Sequence, residues 1–190
     1  SYIINIMKVK ENSSFRIEKI KSESIYDDKF INKISYRPFD DRYIYFDTKF
    51  IERSRGKLSN HFFNKLNIGL VYRRQQLPDN QSYYFLTNNI MADGYIRSDN
   101  KGGESVAPLY LYPDENSLTN ERTPNLNLEI IKEIEEKLGL KFVNEKEQNS
   151  TTFAPIDILD YIYAVLHSPN YREKYKEFLK IDFPRVPYPK

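Results

Sequence analysis

The sequence predicts an α+β fold. A β-rich first lobe over residues 1–113, with mixed or mainly antiparallel strands, is expected to precede a helical second lobe over residues 114–190. Short aromatic and β-branched stretches alternate with turn residues in the first part, and apolar residues recur at helical spacing after residue 127. A polar, turn-rich segment at residues 114–124 separates the two patterns. Both lobes are expected to form one integrated domain.

The first lobe is predicted to consist of short strands joined by turns. Residues 1–34 suggest an edge strand and an irregular lead-in, and residues 35–47 suggest a turn around Pro38 followed by a strand with alternating sides. Ser59 is expected to cap a short helix with an apolar face formed by Phe62, Phe63 and Leu66. Further strands are predicted at residues 70–72, 82–87, 95–97 and 108–112, with a turn at Asn88 and Asn89.

The second lobe carries local signals for three helices. Asn127 is a natural N-cap for a helix that ends at Gly139, with an apolar stripe between them at Leu128, Ile131, Ile134 and Leu138. Pro155 suits the first turn of the second helix. Ser168 and Pro169 end that helix and begin the third, as cap and first helical residue.

Composition excludes several classes of protein. The chain has 190 residues and no cysteine, so disulfides and thiolate metal sites are impossible. Its two histidines, His61 and His167, lie far apart and outside any zinc-binding spacing. No apolar run reaches membrane-spanning length, and the 16 Tyr and 12 Phe supply enough apolar area for a core. We expect a soluble, cytoplasmic segment of a longer polypeptide, since the chain begins at Ser1 rather than Met.

The motifs of common enzyme classes are missing. The sequence contains no phosphate-binding loop, no dinucleotide-binding glycine turn, no nucleophile elbow, and neither the tetrapeptide of amino-methyltransferases nor the acidic triplet of metal-dependent nucleases. Asp40 and Asp41 are adjacent, so in a strand their side chains point apart and suit salt bridges better than acid–base catalysis. The sequence therefore predicts a domain without catalytic or metal-binding residues.

Charge and amide patterning favour contact with a polyanion. Residues 1–76 hold 16 Lys and Arg against 9 Asp and Glu, whereas residues 77–190 hold 13 against 18. Cations attract phosphates, and paired amide donors and acceptors can read adenine. The candidate DNA-binding residues are Arg53, Arg55, Lys57, Arg73, Arg74, Gln75, Gln76, Asn88, Asn89, Arg97 and Lys101. For any one of these residues taken alone, a solvated basic face with ordinary turn asparagines is the better explanation; only the cluster as a whole favours DNA.

Several motifs, in order, resemble one family. They are YRPFDDRYIYFD at 36–47, R-x-R at 53–55, HFFNKLNIGLVYRRQ at 61–75, PLYLYP at 108–113, RTPNLN at 122–127 and DYIYAVLHSPNYREKYKEFLKIDFPRVPYP at 160–189. Together they resemble the C-terminal target-recognition region of type ISP and related type IIG single-chain restriction–modification enzymes, a bacterial defence system. The resemblance covers nearly the whole chain from residue 36 onward.

This resemblance implies sequence-specific recognition of double-stranded DNA. It implies that the domain positions DNA for adenine-N6 methylation and for cleavage, both carried out by other domains of the same polypeptide, with the adenine methyltransferase domain as a docking partner. S-adenosylmethionine, magnesium and optionally ATP are then cofactors of the parent enzyme, and this domain needs none. An alternative remains: a docking module that reads no bases directly.

Overall fold

The computed structural model describes residues 25–47, 50–51, 55–76, 82–97, 103–114, 117, 119 and 121–189. After a short 3₁₀ helix (Asp28–Phe30), the strands are β1 (Ile31–Arg37), β2 (Asp40–Tyr45), β3 (Gly69–Arg73), β4 (Phe85–Thr87), β5 (Ile90–Met91), β6 (Glu104–Pro108), β7 (Tyr110–Leu111), β8 (Thr123–Pro124), β9 (Lys141–Phe142) and β10 (Thr152–Phe153). The helices are α1 (Gly56–Ser59), α2 (Leu128–Leu138), α3 (Pro155–His167), α4 (Pro169–Lys174) and α5 (Lys176–Leu179). The predicted α+β class is confirmed.

Two three-stranded sheets form the first half. In one, β1 lies between antiparallel β2 and parallel β5. In the other, β3 lies between β4 and β6, both antiparallel to it. The segment at Asn88 and Asn89 links the sheets, because it leads directly from β4 into β5. The expected turn at this position is confirmed.

Among the described residues, the core comprises four apolar clusters. One gathers Phe62, Val71, Tyr95 and Val106 beneath the first-half strands. Gly69 lies against it so closely that an added Cβ would come within 2.7 Å of Val106 Cγ2. A second cluster joins Tyr84 to Leu166, Tyr171 and Leu179, and a third joins Leu109 and Tyr110 to Leu159. These two clusters pack strand residues against the C-terminal helices, while the fourth lies around Ile131, Ile134 and Phe153.

The helix boundaries of the second half are confirmed. Asn127 accepts hydrogen bonds from the N–H groups of Glu129 and Ile130, and Gly139 ends α2 in the left-handed region at φ +66°. Pro155 is the first residue of α3. Ser168 accepts from the N–H of Tyr171 at the start of α4.

Several first-half predictions are wrong in detail. Ser59 is the last residue of α1 rather than an N-cap, its hydroxyl donates to the carbonyl of Arg55, and residues 60–64 form turns instead of the predicted helix. The segment at residues 95–97 is not a strand; Tyr95 is instead buried in the core. The strand predicted at 82–87 begins only at Phe85.

Two further differences concern pairing. The strand predicted at 108–112 is divided between β6 and β7 at Leu109. β6 pairs with β3, whereas β7 pairs with β8, so the chain changes its partner strand at this residue. β1, which begins at Ile31, is a central strand of its sheet. Residues 1–24, where most of the predicted edge strand and lead-in would fall, lie outside the described residues. Within the described part of the chain, no helix is long and apolar enough to cross a membrane.

Candidate nucleic-acid interface

A polar network holds the Asn88–Asn89 segment against the β1–β2 hairpin. Ser35 Oγ lies 2.8 Å from both Asp41 Oδ1 and Thr87 Oγ1. Lys33 Nζ forms an ion pair with Asp41 at 3.1 Å, and Asn89 Nδ2 donates to the same carboxylate at 3.3 Å. The network therefore fixes the position of the turn relative to both sheets.

Asn88 and Asn89, the predicted adenine readers, occupy different environments. The side chain of Asn89 is engaged by Asp41 and Ser35, and its backbone N–H donates to Thr87 Oγ1 at 3.0 Å. Asn88 is exposed at the tip of the turn. Asn88 can thus meet a ligand directly, whereas Asn89 braces the turn that carries it.

The basic start of α1 shares a hydrophobic cluster with the segment after this turn. Arg55 and Lys57 are exposed, and Arg55 adopts a left-handed backbone at φ +47°. Leu58 on α1 packs with Ile90, Met91 and Ile96 against the cluster around Phe62. Folding therefore brings α1 together with the segment that ends at half-buried Arg97. Arg53 and Lys101 lie outside the described residues.

Arg73 lies at the other end of β3 and is buried. Gly69 pairs with Thr87, so the chain reaches the Asn88 turn at the Gly69 end of the strand, four residues from Arg73. At about 3.4 Å per residue this corresponds to about 14 Å. Arg73 Nη1 lies 2.9 Å from Glu104 Oε1, and the two side chains are only 10% and 2% exposed. Such burial gives Arg73 a structural contact within the fold and leaves little of its guanidinium exposed.

The next three candidates, Arg74, Gln75 and Gln76, contact residues 179–182 near the C-terminal end of the chain. Arg74 Nε forms an ion pair with Asp182 Oδ1 at 3.1 Å, and Gln75 Nε2 donates to the carbonyl of Ile181 at 3.3 Å. The backbone N–H of Gln76 donates to the carbonyl of Leu179 at 2.8 Å, and both polar atoms of its side-chain amide are buried. Gln76 therefore cannot offer its amide to a base in this conformation, while Arg74 and Gln75 remain at the surface.

The sequence prediction missed an exposed aromatic ring at the β1–β2 turn. Phe39 is 99% exposed and has a left-handed backbone at φ +64°. Below it, the guanidinium carbons of Arg37 and Arg42 lie 4.1 and 3.8 Å from the centre of the Tyr36 ring. The sequence signal was the Pro38-Phe39 pair within a predicted turn. In the structure the Phe39 ring meets Phe85 of β4 edge to face, with ring centres 6.1 Å apart, and stays exposed.

Both histidines have structural contacts. His61 Nδ1 accepts from the backbone N–H of Tyr112 at 3.1 Å; burial lowers the pKa of His61, and the carboxylate of Asp114 opposes this shift. His167 is the last residue of α3, and its Nε2 lies 3.2 Å from the carbonyl oxygen of Tyr84. Among the residues that the structure describes, no three His, Asp or Glu side chains come together in a way that could hold a metal ion.

Comparison with known proteins identifies the family of this chain. Residues 6–190 match the family described as the type ISP C-terminal specificity domain, so the chain belongs to this family. Among solved structures, it is similar to a DrdV–DNA complex determined by cryo-electron microscopy, with 23% identity and a TM-score of 0.67 over 96% of this chain and 16% of that one. No curated protein matches it.

Two further solved structures share the fold. The ATP-dependent type ISP restriction–modification enzyme LlaBIII bound to DNA is 18% identical, with a TM-score of 0.66 over 96% of this chain and 11% of that one. A nuclease-deletion mutant of the type ISP enzyme LlaGI in complex with a DNA substrate mimic is 22% identical, with a TM-score of 0.56 over 88% and 10%. The chain thus spans between a tenth and a sixth of the length of these proteins.

Proposed function

We propose that this chain recognises a specific double-stranded DNA sequence for a restriction–modification enzyme. In this proposal it positions the DNA for adenine-N6 methylation and for cleavage, both performed by other domains of a longer, cytoplasmic polypeptide. Family membership supports the role, and the solved structures that share the fold are described as DNA complexes. The observation that carries it is an exposed Asn88, held on a braced turn whose following segment packs with basic α1.

Different residues would contact the phosphates and the bases of the DNA. Arg55 and Lys57 are exposed cations at the start of α1 and would bind phosphates, which sets the register of the domain on the duplex. Arg53 and Lys101 are proposed for the same role. Asn88 would read a base edge, since an amide pairs with adenine through one donor and one acceptor, and Arg97 would contact a neighbouring position. Asn89 would keep Asn88 oriented through its bond to Asp41.

The remaining chemistry would belong to other domains. This domain would contribute no catalytic residue, and the adenine methyltransferase domain would be its partner within the polypeptide. S-adenosylmethionine, magnesium and ATP would be bound there. Arg74 and Gln75 would touch DNA only if they release Asp182 and the carbonyl of Ile181.

The test is duplex binding measured by fluorescence anisotropy. A randomised duplex pool selected against the wild-type chain supplies the preferred sequence. We expect Asn88→Ala to cost about 1–3 kcal/mol on that sequence and to relax preference at one position. Replacing both Arg55 and Lys57 by Ala should weaken binding to all sequences and lower the salt slope by about two, since each phosphate contact contributes about 0.9.

Lys132→Ala is the matched control, because it removes an exposed cation from α2, an element that contributes no residue to the proposed DNA contacts. It should leave both affinity and salt slope unchanged. A wild-type chain without duplex affinity even at low salt, but with affinity for the methyltransferase portion of its parent enzyme, would contradict DNA recognition and establish a docking module.

A further inference from the structure

The tip of the β1–β2 hairpin has an unusual backbone for its sequence. Arg37 pairs with Asp40, so Pro38 and Phe39 alone form the connection. Phe39 has φ +64° at the second of these positions, where tight turns with positive φ favour Gly or Asn. A bulky ring in the left-handed region costs free energy, and such strain concentrates at functional sites. Here the ring touches only its edge-to-face neighbour Phe85 among the ring contacts of the described residues, and it remains 99% exposed.

The base of the hairpin is rigidly braced. Between Ser35 and Arg37 the register shifts by one residue, so Tyr36 is an extra residue in β1 that redirects the strand toward the tip. The Arg37 and Arg42 guanidinium groups lie over the Tyr36 ring, and Arg42 Nη2 pairs with Asp40 Oδ2 at 2.7 Å. The tip is therefore held in place before any partner arrives.

Charge at this hairpin suits a polyanion. Asp40 is paired with Arg42, and Asp41 is paired with Lys33. Arg37 adds a further positive charge directly beside the tip. Both carboxylates are thus balanced, and the ring can approach phosphates without net repulsion.

We propose that Phe39 is an apolar wedge that inserts between neighbouring base pairs of the bound duplex. The inference rests on the proposed DNA-binding function and adds to it a contact that reads no base edge. Phenylalanine is among the residues that enter the grooves of DNA and unstack base steps. Base stacking on an aromatic side chain tolerates any sequence, because every base has a π face.

The size of the exposed tip favours DNA over a protein partner. One aromatic ring buries about 150–250 Å². A stable protein interface needs about 800 Å² from each partner. A single projecting ring on a charged hairpin falls well short of that area. One ring is nevertheless enough to wedge into a base step when other residues, here the proposed contacts at Asn88 and α1, supply the rest of the DNA interface.

The chain contains no Trp, which gives a direct test. In Phe39→Trp the new indole is the sole Trp, and stacking on bases should quench its emission at least about twofold when the selected duplex is added. Tyr43→Trp is the control, because residue 43 is 75% exposed on β2 of the same hairpin. Its emission should remain unchanged at equal saturation, as verified by anisotropy of the labelled duplex.

A second variant separates binding from folding. Phe39→Gly removes the ring and relieves the positive φ, so the melting temperature should stay the same or rise. Duplex affinity should fall about tenfold or more, while the salt slope stays constant because no cation is lost.

The other outcomes overturn the wedge in distinguishable ways. If the duplex binds but leaves the emission of the Phe39→Trp variant unchanged, and the Phe39→Gly variant keeps wild-type affinity, the wedge is wrong and the proposed DNA recognition stands. If emission responds only to the methyltransferase portion of the parent enzyme, the tip is a protein contact. If the wild-type chain binds no duplex at low salt, the wedge fails together with the proposed function.

Discussion

At the scale of single residues, two buried polar side chains, Asn67 and Arg73, have partners distant in the sequence. Asn67 donates to the carbonyls of His61 and Tyr110 and accepts from the N–H groups of Ile68 and Tyr110, so its amide is fully used. Arg73 and Glu104 form the corresponding charged pair across β3 and β6. A paired charge in such a place adds little net stability, but removing one partner leaves the other without compensation.

This asymmetry predicts the behaviour of Arg73 variants. Arg73→Ala should lower the free energy of unfolding by about 3–5 kcal/mol, because it leaves the carboxylate of Glu104, whose side chain is 2% exposed, without its cation. The double variant Arg73→Met, Glu104→Leu should recover most of this loss. Urea denaturation measures both.

Arg74→Ala is the neighbouring control. Its ion pair with Asp182 is exposed, so the loss should stay below about 1 kcal/mol. Equal losses for Arg73→Ala and Arg74→Ala would show that the Glu104 pair does not behave as a buried charge.

At the scale of elements, the sequence predicted structure wherever the signal was local. The caps at Asn127, Gly139 and Ser168 each lie within a few residues of the helix they limit, and all three are confirmed. Strand partners were beyond prediction, because the pairing of β1 with β5 joins residues more than fifty positions apart. The same limit applies to the candidate site. Arg73 was grouped with Arg55 because the two are close in sequence, but its ion-pair partner Glu104 is 31 residues away and the pair is buried.

The start of α3 gives the element-scale prediction. Asp157 accepts from the N–H of Ala154 at 2.8 Å and pairs with Lys146. Burial alone would raise the pKa of Asp157, but these partners outweigh it and hold the pKa below its usual range. Asp157→Ala should therefore cost about 1 kcal/mol at pH 7, as expected for the loss of an N-terminal capping contact.

The pH dependence has a defined sign. The lowered pKa means that the folded state favours the carboxylate, so its contribution is complete above the unfolded pKa of about 3.9 and disappears as the pH falls through the folded value. The difference between Asp157→Ala and wild type in urea denaturation should shrink below about pH 4. Asp160→Ala, an exposed carboxylate one turn later, serves as the control and should show no such loss. A difference that persists at low pH would contradict the role of the charge.

At the scale of the whole molecule, the C-terminal segment (residues 180–189) contacts elements from both halves of the chain. Tyr171 Oη donates to the carbonyl of Arg185, and Tyr161 Oη donates to that of Pro187. Phe183 lies against Tyr72 on β3 with ring centres 5.8 Å apart, and Lys137 on α2 lies over the Tyr188 ring at 3.7 Å. The segment that carries the most extended family motif therefore touches β3 and three helices.

We accordingly propose that residues 1–113 and 114–190 unfold as one unit. Leu159 on α3 is 5% exposed and packs with Leu109 and Tyr110 of the first lobe, so Leu159→Ala should cost about 2–5 kcal/mol. If the lobes are coupled, amide hydrogen exchange should accelerate in β3 and β6 as much as in α3. Leu128→Ala is the control, since Leu128 is 68% exposed at the start of α2 and should change exchange little. Faster exchange confined to the helices would instead divide the chain into two independent domains, with DNA contacts on one and family motifs on both.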